Sequence, residues 1–474
     1  MKRGPGHPSV PRGLRCAGLL AVVALLTWPY PSRPADAASA ERPNVIVILT
    51  DDQGTLDMNA YGAQDLETPH MDALARRGVR FTQFYAGAPV CSPSRAALLT
   101  GRAPLRAGLP DNASPPPIDR AAGGEQGLRG SEVTLAELLG GAGYATAHIG
   151  KWHLGTEPAM RPRAQGFDYT FGHLGGCIDN YAHFFYWNGP NRHDLWENGK
   201  TVHHPGRFFP DLMVEKAGQF MEENRDRPFF LYFAINLPHY PIQGEPKWLE
   251  KYADLPYPRR LYAAFVSTMD ERIGRVLAKV DELGLREETL IIFQSDHGHS
   301  VEERTHGGGG YAGSYRGAKF SLFEAGIRVP ALVSLPGIVP EGAVRAQLAR
   351  GTDWLPTIAD FAGVTLPERT LDGKSLRRVI VDDAPSPHET VHWQVGRGDE
   401  AQWAVRQGPW KLIGNPHDPT APESIKTDRF LSNLERDETE QTNFAADHPV
   451  VARELEQLHD AWLATMREGE PSRR

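Results

Sequence analysis

Four short apolar runs each end in ionisable residues, and this recurrence constrains the fold more than any other feature of the chain. Residues 44–50 (NVIVILT) are a β-branched run that stops at Asp51-Asp52. Residues 228–237 (PFFLYFAINL) stop at Pro238-His239, residues 289–295 (TLIIFQS) stop at Asp296-His297-Gly298, and the weaker run 144–149 reaches Lys151-Trp152-His153. Apolar runs without polar alternation suit strands covered on both faces, as in parallel sheets. Between them, Leu261, Phe265, Met269, Ile273, Val276, Val280 and Leu283 recur every three to four positions, which predicts a helix over 259–283 stopped by Gly284. Strands alternating with helices predict an α/β fold, a large mostly parallel sheet sandwiched by helices. Ligands gather outside the carboxyl ends of such strands, which is where all four polar clusters fall.

The N-terminus reads as a leader. Lys2, Arg3, Arg12 and Arg15 precede an apolar stretch over 17–28, followed by Ala-Asp-Ala at 35–37 and Ala-Ser-Ala at 38–40. This predicts a signal peptide over 1–40. Twelve residues fall short of the ~20 needed to span a bilayer, and Cys16 precedes the apolar core where a lipid-anchoring cysteine would follow it. The expectation is an exported protein, periplasmic or extracellular, without a stable membrane anchor. Loss of residues 1–40 takes away five basic residues and one acid, so the net charge falls from −8 to −12. A chain this acidic is a poor nucleic-acid partner, and an anionic substrate would have to be drawn by a local cationic pocket. Only Cys91 and Cys177 remain after cleavage. They can pair, or Cys177 is left as a lone buried thiol.

After residue 385 the texture changes to Trp393, the run 401–413 (AQWAVRQGPWKLI), a Pro/Asp-rich link and a helical pattern over 449–466. A hairpin-like pair plus one helix predicts a small C-terminal α+β subdomain over 386–474, beside a catalytic domain over 41–385. The Gly-rich stretch 299–319 is a loop over the ligand edge, either a connector or a lid.

Chemically, Asp51, Asp52, Asp296 and His297 are candidates for a cation site. Two unit charges ~4 Å apart interact by about 4 kcal/mol at an effective dielectric of 20, which a divalent ion relieves. An Asp-Asp pair after a strand is equally suited to capping a helix or a turn. Oxygen ligands favour calcium, with magnesium second, over zinc, and the imidazole of His297 is the soft exception.

The run Cys91-Ser92-Pro93-Ser94-Arg95, continued through Ala-Ala-Leu-Leu-Thr-Gly-Arg102, resembles the signature of the formylglycine-dependent sulfatases of the alkaline-phosphatase-like superfamily. Asp51-Asp52-Gln53-Gly54, Gly150-Lys151-Trp152-His153-Leu154-Gly155, Asp296-His297-Gly298 and Arg316-Gly317-Ala318-Lys319 stand in that family's order and spacing. The likeness runs from about residue 44 to residue 443, through the stretches 323–330 (FEAGIRVP) and 431–434 (LSNL). It implies that Cys91 is converted to formylglycine by a formylglycine-generating enzyme or an anaerobic sulfatase-maturating enzyme. It also implies that Asp51, Asp52, Asp296 and His297, with an oxygen of modified Cys91, ligate the cation. Many relatives carry Asn where His297 stands and others carry His, so this position is a variant of the pattern.

Lys151 and Lys319 suit sulfate oxygens, and Arg95, one turn past Cys91, suits orientation of the aldehyde hydrate. His239 resembles the family's leaving-group acid, and His153 resembles the base that takes a proton as sulfate is released. Singly, each lysine reads as well as a surface charge, and His239 as a loop residue. The segment 176–200 is rich in aromatics, amides and His, suited to a sugar ring or to packing against itself. Asp179, Asn180, His183, Asn188, Arg192 and His193 are its candidate leaving-group contacts. The reading is therefore a sulfatase acting on a sulfated saccharide or small molecule. Its rivals are a phosphonate or phosphodiester hydrolase of the same superfamily and a catalytically silent glycan-binding protein.

Overall fold

In the computed structural model, which describes residues 42–113, 127–187 and 190–467, the four apolar runs become four neighbouring parallel strands. Their order is Thr289–Ser295, Asn44–Asp51, Phe229–Pro238 and Ala145–Lys151. The expected leader and Asn188 lie outside the described residues. Ile48 is level with Phe233 on one side and Phe293 on the other, so the polar ends of the strands arrive together. The sheet has ten strands. Tyr169–His173 extends it in parallel, then Trp196–Glu197 and Lys200–Thr201 close that side antiparallel. Ala331–Ser334 and Val79–Phe81 add antiparallel strands on the other side, and Ala343–Arg345 ends it. The described residues thus form a mostly parallel α/β sheet.

The period-two side-chain alternation divides the core between two faces. Ile46, Ile48, Leu231, Phe233, Ile291 and Phe293 pack against the helices Phe209–Glu223 and Arg259–Glu282. Val45, Val47, Leu49, Phe230, Tyr232, Leu290 and Ile292 pack on the other face with the helices Cys91–Thr100 and Trp354–Ala362. Every residue of all four strands is buried, which suits runs without polar alternation. The Arg259–Glu282 helix buries the face its periodicity predicts, and the chain leaves it through Gly284 at φ +71, a left-handed turn that needs no side chain. Among the described residues, no helix is long and apolar enough to cross a membrane.

The C-terminal region carries more sheet than its sequence suggests. Thr390–Val395, Gln402–Gln407, Trp410–Gly414 and Arg429–Asn433 form a four-stranded antiparallel meander, backed by the helix Pro449–Arg467. The outer two strands escape a hairpin reading because their burial is intermittent or follows a long Pro/Asp-rich link. This sheet is tied to the main body by buried polar contacts. Lys411 Nζ sits 2.7 Å from Glu324 and 2.9 Å from Glu440, and Trp393 Nε1 donates to the Ala86 carbonyl at 2.9 Å, just before Cys91 in the chain.

His148, on a central strand, is buried among Trp152, Phe167 and Tyr232, and burial lowers its pKa to about 3. In the C-terminal stack, His392 and His459 are lowered to about 3 and about 4, again chiefly by burial. Unfolded, each imidazole takes a proton near pH 6.5. Below that pH the unfolded chain binds more protons, so stability is full above 6.5 and falls toward pH 3. Each imidazole removes about 1.4 kcal/mol per pH unit across its window. Denaturant unfolding at pH 5 and pH 7.5 should show this loss, and His148→Phe should make the acid slope shallower. Equal slopes in the two proteins would refute the assignment to His148.

Candidate active site

The site is assembled by one helix start and four strand ends. Val90 is extended at φ −143 and ψ 158, and Cys91 is the first residue of the Cys91–Thr100 helix. Pro93 falls in the first turn, where a missing N–H costs no helical hydrogen bond. Ser92 Oγ donates to the His153 carbonyl at 2.6 Å and Ser94 Oγ to the Asp296 carbonyl at 2.5 Å. The two serines of the run thus brace two strand ends against the helix. Arg95 is wholly buried one turn later, with Nη2 2.8 Å from Asp296 and 3.4 Å from Asp51, and Nη1 donates to the Lys151 carbonyl at 3.2 Å. Its guanidinium holds the acids in place from behind Cys91.

Around the Cys91 sulfur lie His297 Nε2 at 3.3 Å, Lys151 Nζ at 3.5 Å and Asp51 Oδ1 at 3.9 Å. Lys151 Nζ is also 2.6 Å from Asp51 Oδ2, and Lys319 Nζ is 3.0 Å from Asp52 Oδ1. His239 Nε2 stands 3.9 Å from Asp52 Oδ2, while its Nδ1 contacts the Tyr240 carbonyl at 2.8 Å. Asp52 and His153 hold left-handed backbone at φ 63 and φ 56, conformations that cost energy for residues with a Cβ and concentrate at functional sites. A Cβ on Gly176 would lie 2.7 Å from the His153 ring, so only glycine admits that imidazole. The expected catalytic and cation-site residues are therefore all drawn to one sheet edge.

Charge is concentrated and buried here. Burial would raise Asp51, but Lys151, His239 and Arg95 outweigh it and hold the carboxyl well below its usual range. Asp52 is different: burial dominates and lifts it to about 7 despite Lys319. Burial also raises Asp296, against the pull of His297. Burial would depress His297, yet Asp296 and Cys91 push it to about 9. For Cys91, Lys151, Lys319 and His297 overcome burial and hold the thiol well below its normal range. His153 and His239 are both lowered, by burial first and Lys151 next, and are neutral imidazoles near pH 7.

These residues fit a divalent cation. Ligand atoms of Asp51, Cys91, Asp296 and His297 lie within 4.8 Å of one another, as do those of Asp51, Asp52, Cys91 and His239. Asp52 Oδ1 is buried and accepts no well-formed hydrogen bond, although Lys319 is near. His297 Nδ1 is engaged by the Gly298 carbonyl at 2.9 Å, so Nε2 faces the acids and would ligate a cation on giving up its proton. Lys151, Lys319 and Arg95 each pair with one of the three aspartates, and a divalent ion would add further positive charge toward a sulfate anion.

A cavity of about 150 Å³ opens over Cys91, lined by His153, His239 and Lys319 and, further out, by Phe185, Trp187, Arg192 and Tyr240. Of the five expected leaving-group contacts among the described residues, Arg192 alone lines it. Asp179 accepts from the Tyr181 and Ala182 amides and from Gln243, a turn-capping role. Asn180 bonds Gln243, Asn236 and the Pro241 carbonyl. His183 Nε2 meets the Arg207 carbonyl at 2.9 Å, and His193 Nε2 meets the Val202 carbonyl at 2.7 Å. Asp179 caps the loop's own backbone, Asn180, His183 and His193 tie the loop to neighbouring segments, and none of the four lines the cavity. Missed by sequence reasoning was Glu302, whose Oε2 is 3.4 Å from Lys319 Nζ and 3.5 Å from the Tyr240 hydroxyl. A lone acid in a Gly-rich stretch carries no spacing signal. That stretch is pinned at its middle, where Arg259 Nη1 donates to the Gly309 carbonyl at 2.9 Å and the Tyr311 amide donates to Asp57 at 2.7 Å.

Comparison with known proteins places this geometry in a family. Residues 43–364 match the family model described as Sulfatase, and residues 316–460 match one described as N-sulphoglucosamine sulphohydrolase, C-terminal. Arylsulfatase A of Homo sapiens is 35% identical over 408 residues, covering 80% of this chain and 76% of the relative. Steryl-sulfatase of Mus musculus is 35% identical, covering 84% of this chain and 74% of the relative. Among solved structures, Ps i-CgsB in complex with k-i-k-neocarrahexaose superposes with a TM-score of 0.78 at 27% identity, covering 89% of this chain and 92% of that one.

Proposed function

The chain belongs to the sulfatase family and is a sulfuric ester hydrolase, and from that premise we propose that it acts on sulfated saccharides outside the cytoplasm, using a formylglycine made from Cys91 and one divalent cation. The observation that carries this reading is the placement of the Cys91 sulfur 3.5 Å from Lys151 Nζ and 3.3 Å from His297 Nε2, at the edge of a buried triad of aspartates. The basic leader and the saccharide bound to the superposed relative support export and a sugar substrate. Every residue of the reaction falls within the proposed catalytic domain, 41–385, with 386–474 as a buttress.

A divalent cation held by Asp51, Asp52, Asp296 and His297 supplies positive charge for sulfate oxygens, and formylglycine at position 91 supplies a hydrated aldehyde as nucleophile. The chain's own side chains do the rest. Lys151 and Lys319, each fixed by an aspartate, hold sulfate oxygens without reorganising when charge develops. The Cys91–Thr100 helix N-terminus adds only ~0.3–1 kcal/mol for an anion, so the lysines and the cation dominate. Neutral His153 is a base ready to accept a proton. His239 donates Nδ1–H to the Tyr240 carbonyl and leaves Nε2 to carry the proton for the departing oxygen. Burial first and then Lys151 and Lys319 hold this imidazole neutral, and an arriving sulfate offsets the lysine charges so that Nε2 can take up the proton it donates.

Removal of the cation is expected to lower turnover at least ~100-fold, since charge stabilisation by a metal is worth several kcal/mol. Calcium should restore activity better than zinc, because the ligands are mainly hard oxygens. Calcium should also raise the melting temperature of the stripped protein, and Asp296→Asn should weaken that shift. Full activity in protein shown by elemental analysis to be metal-free would refute the site. Turnover of an aryl phosphonate exceeding that of an aryl sulfate would favour the phosphonate hydrolase reading instead.

A further inference from the structure

Arg192 differs from Lys151, Lys319 and Arg95 in that, among the described residues, its guanidinium has no carboxylate within ion-pair distance. Lys151 is paired with Asp51, Lys319 with Asp52 and Glu302, and Arg95 with Asp296 and Asp51. Arg192 is exposed at the cavity wall, and among the described residues its guanidinium makes no ion pair and no hydrogen bond. The nearest acid in sequence, Asp194, feels the Arg192 charge but accepts its hydrogen bonds from the Leu174 and Gly175 amides and from Trp196 Nε1.

The orientation of this guanidinium is set locally. Phe184–Phe185 and Arg192–His193 form a two-stranded antiparallel ribbon in which Phe185 faces Arg192. The Arg192 Cζ lies 4.1 Å from the centroid of the Phe185 ring. Stacking uses the flat face of a guanidinium and leaves its edge, with paired N–H donors, for a bidentate anion. Trp187 lines the same cavity, stacks on Tyr240 at 5.8 Å, and is itself covered by Arg304 at 4.0 Å. A leaving group bound here meets aromatic surface for a ring and an uncompensated cation for charge.

We propose that Arg192 reads a second anionic group, a carboxylate or a further sulfate, on the saccharide that carries the scissile sulfate. This rests on the sulfatase reading above. A chain with a net charge of −8 repels polyanions at long range, so an unpaired cation at the cavity mouth offsets that repulsion where the substrate's second charge arrives. A hydrogen-bonded charge pair of this kind sets KM more than kcat, because it is made alike in the ground and transition states.

Three saccharides test it with the mature holoenzyme: a sulfated disaccharide bearing a free uronate, its carboxyl-reduced counterpart, and a disulfated neutral disaccharide. Arg192→Ala should raise KM for the uronate or the disulfate by about 10- to 100-fold. Its loss on the carboxyl-reduced compound should be at least about tenfold smaller, and Arg192→Lys, which keeps charge without the fork, should fall between. Which of the two anionic substrates suffers identifies the group that is read. Calorimetric binding of the same compounds to Cys91→Ala protein, with and without Arg192→Ala, measures the effect without turnover. Equal losses on all three compounds overturn the inference while leaving the sulfatase reading intact. A wild-type enzyme that turns over an aryl sulfate but neither binds nor hydrolyses any of the three would overturn the saccharide-substrate reading, and the inference with it.

Discussion

Cys91→Ala is expected to lower turnover of an aryl sulfate by at least ~10⁴-fold, because removing a nucleophile takes away a covalent route that the remaining site cannot replace. The substitution is sterically small. Cys91 is 2% exposed, begins its helix, and lends no hydrogen bond that the fold needs, so the variant should melt close to wild type. Lys151, Lys319 and His297 would still surround the position, so sulfate binding should persist while hydrolysis is lost. Mass spectrometry of the peptide containing Cys91, from active enzyme made with a maturation enzyme, should show sulfur and two hydrogens replaced by one oxygen. A fully active preparation containing only thiol would overturn the formylglycine assignment and leave the lowered-pKa thiol as nucleophile in its place.

The second large effect is expected at His239, and its size should depend on the substrate. General acid help is worth about 10²- to 10⁴-fold, and a sugar alkoxide needs a proton far more than a nitrophenolate does. His239→Ala should therefore cripple hydrolysis of a sulfated sugar and cost much less on an activated aryl sulfate. The geometry suits this role, with Nδ1 fixed by the Tyr240 carbonyl and the ring at the cavity wall beside Lys319. Equal losses on both substrates would mean that His239 holds the sulfate or the site shape. Lys319 would then be the next candidate for the acid, since Asp52, Cys91 and Tyr240 overcome burial and keep its ammonium protonated well above the normal range.

Legibility differed sharply between the chemistry and its substrate. Asp51, Asp52, Lys151, His239, Asp296 and His297 were readable because each closes an apolar strand, and parallel strands in register deliver their ends to one edge. Cys91 and Arg95 were readable because one helical turn fixes their separation. Asp179, Asn180, His183 and His193 were chosen from a loop by residue type alone. In the structure Asp179 accepts from the loop's own amides, Asn180 from the Asn236 side chain, and His183 and His193 meet carbonyls of the following segment, because polar groups buried in a loop need nearby partners.

By itself, the sequence determined the sheet, the helix over 259–283, and the order in which nucleophile, lysines, acids and imidazoles would meet. Hydrophobic periodicity and the end of each strand are local properties, written in consecutive residues. Only the tertiary structure decided which side chains were already occupied: Arg95 by Asp296, Lys319 by Glu302, and Asp194 by two amides and an indole, leaving the Arg192 guanidinium without an ion pair among the described residues. Pairing is a property of distances between residues remote in sequence, such as the 201 positions that separate Arg95 from Asp296. No local pattern encodes it, because electrostatic complementarity acts through space and appears only when the strand ends have been brought together.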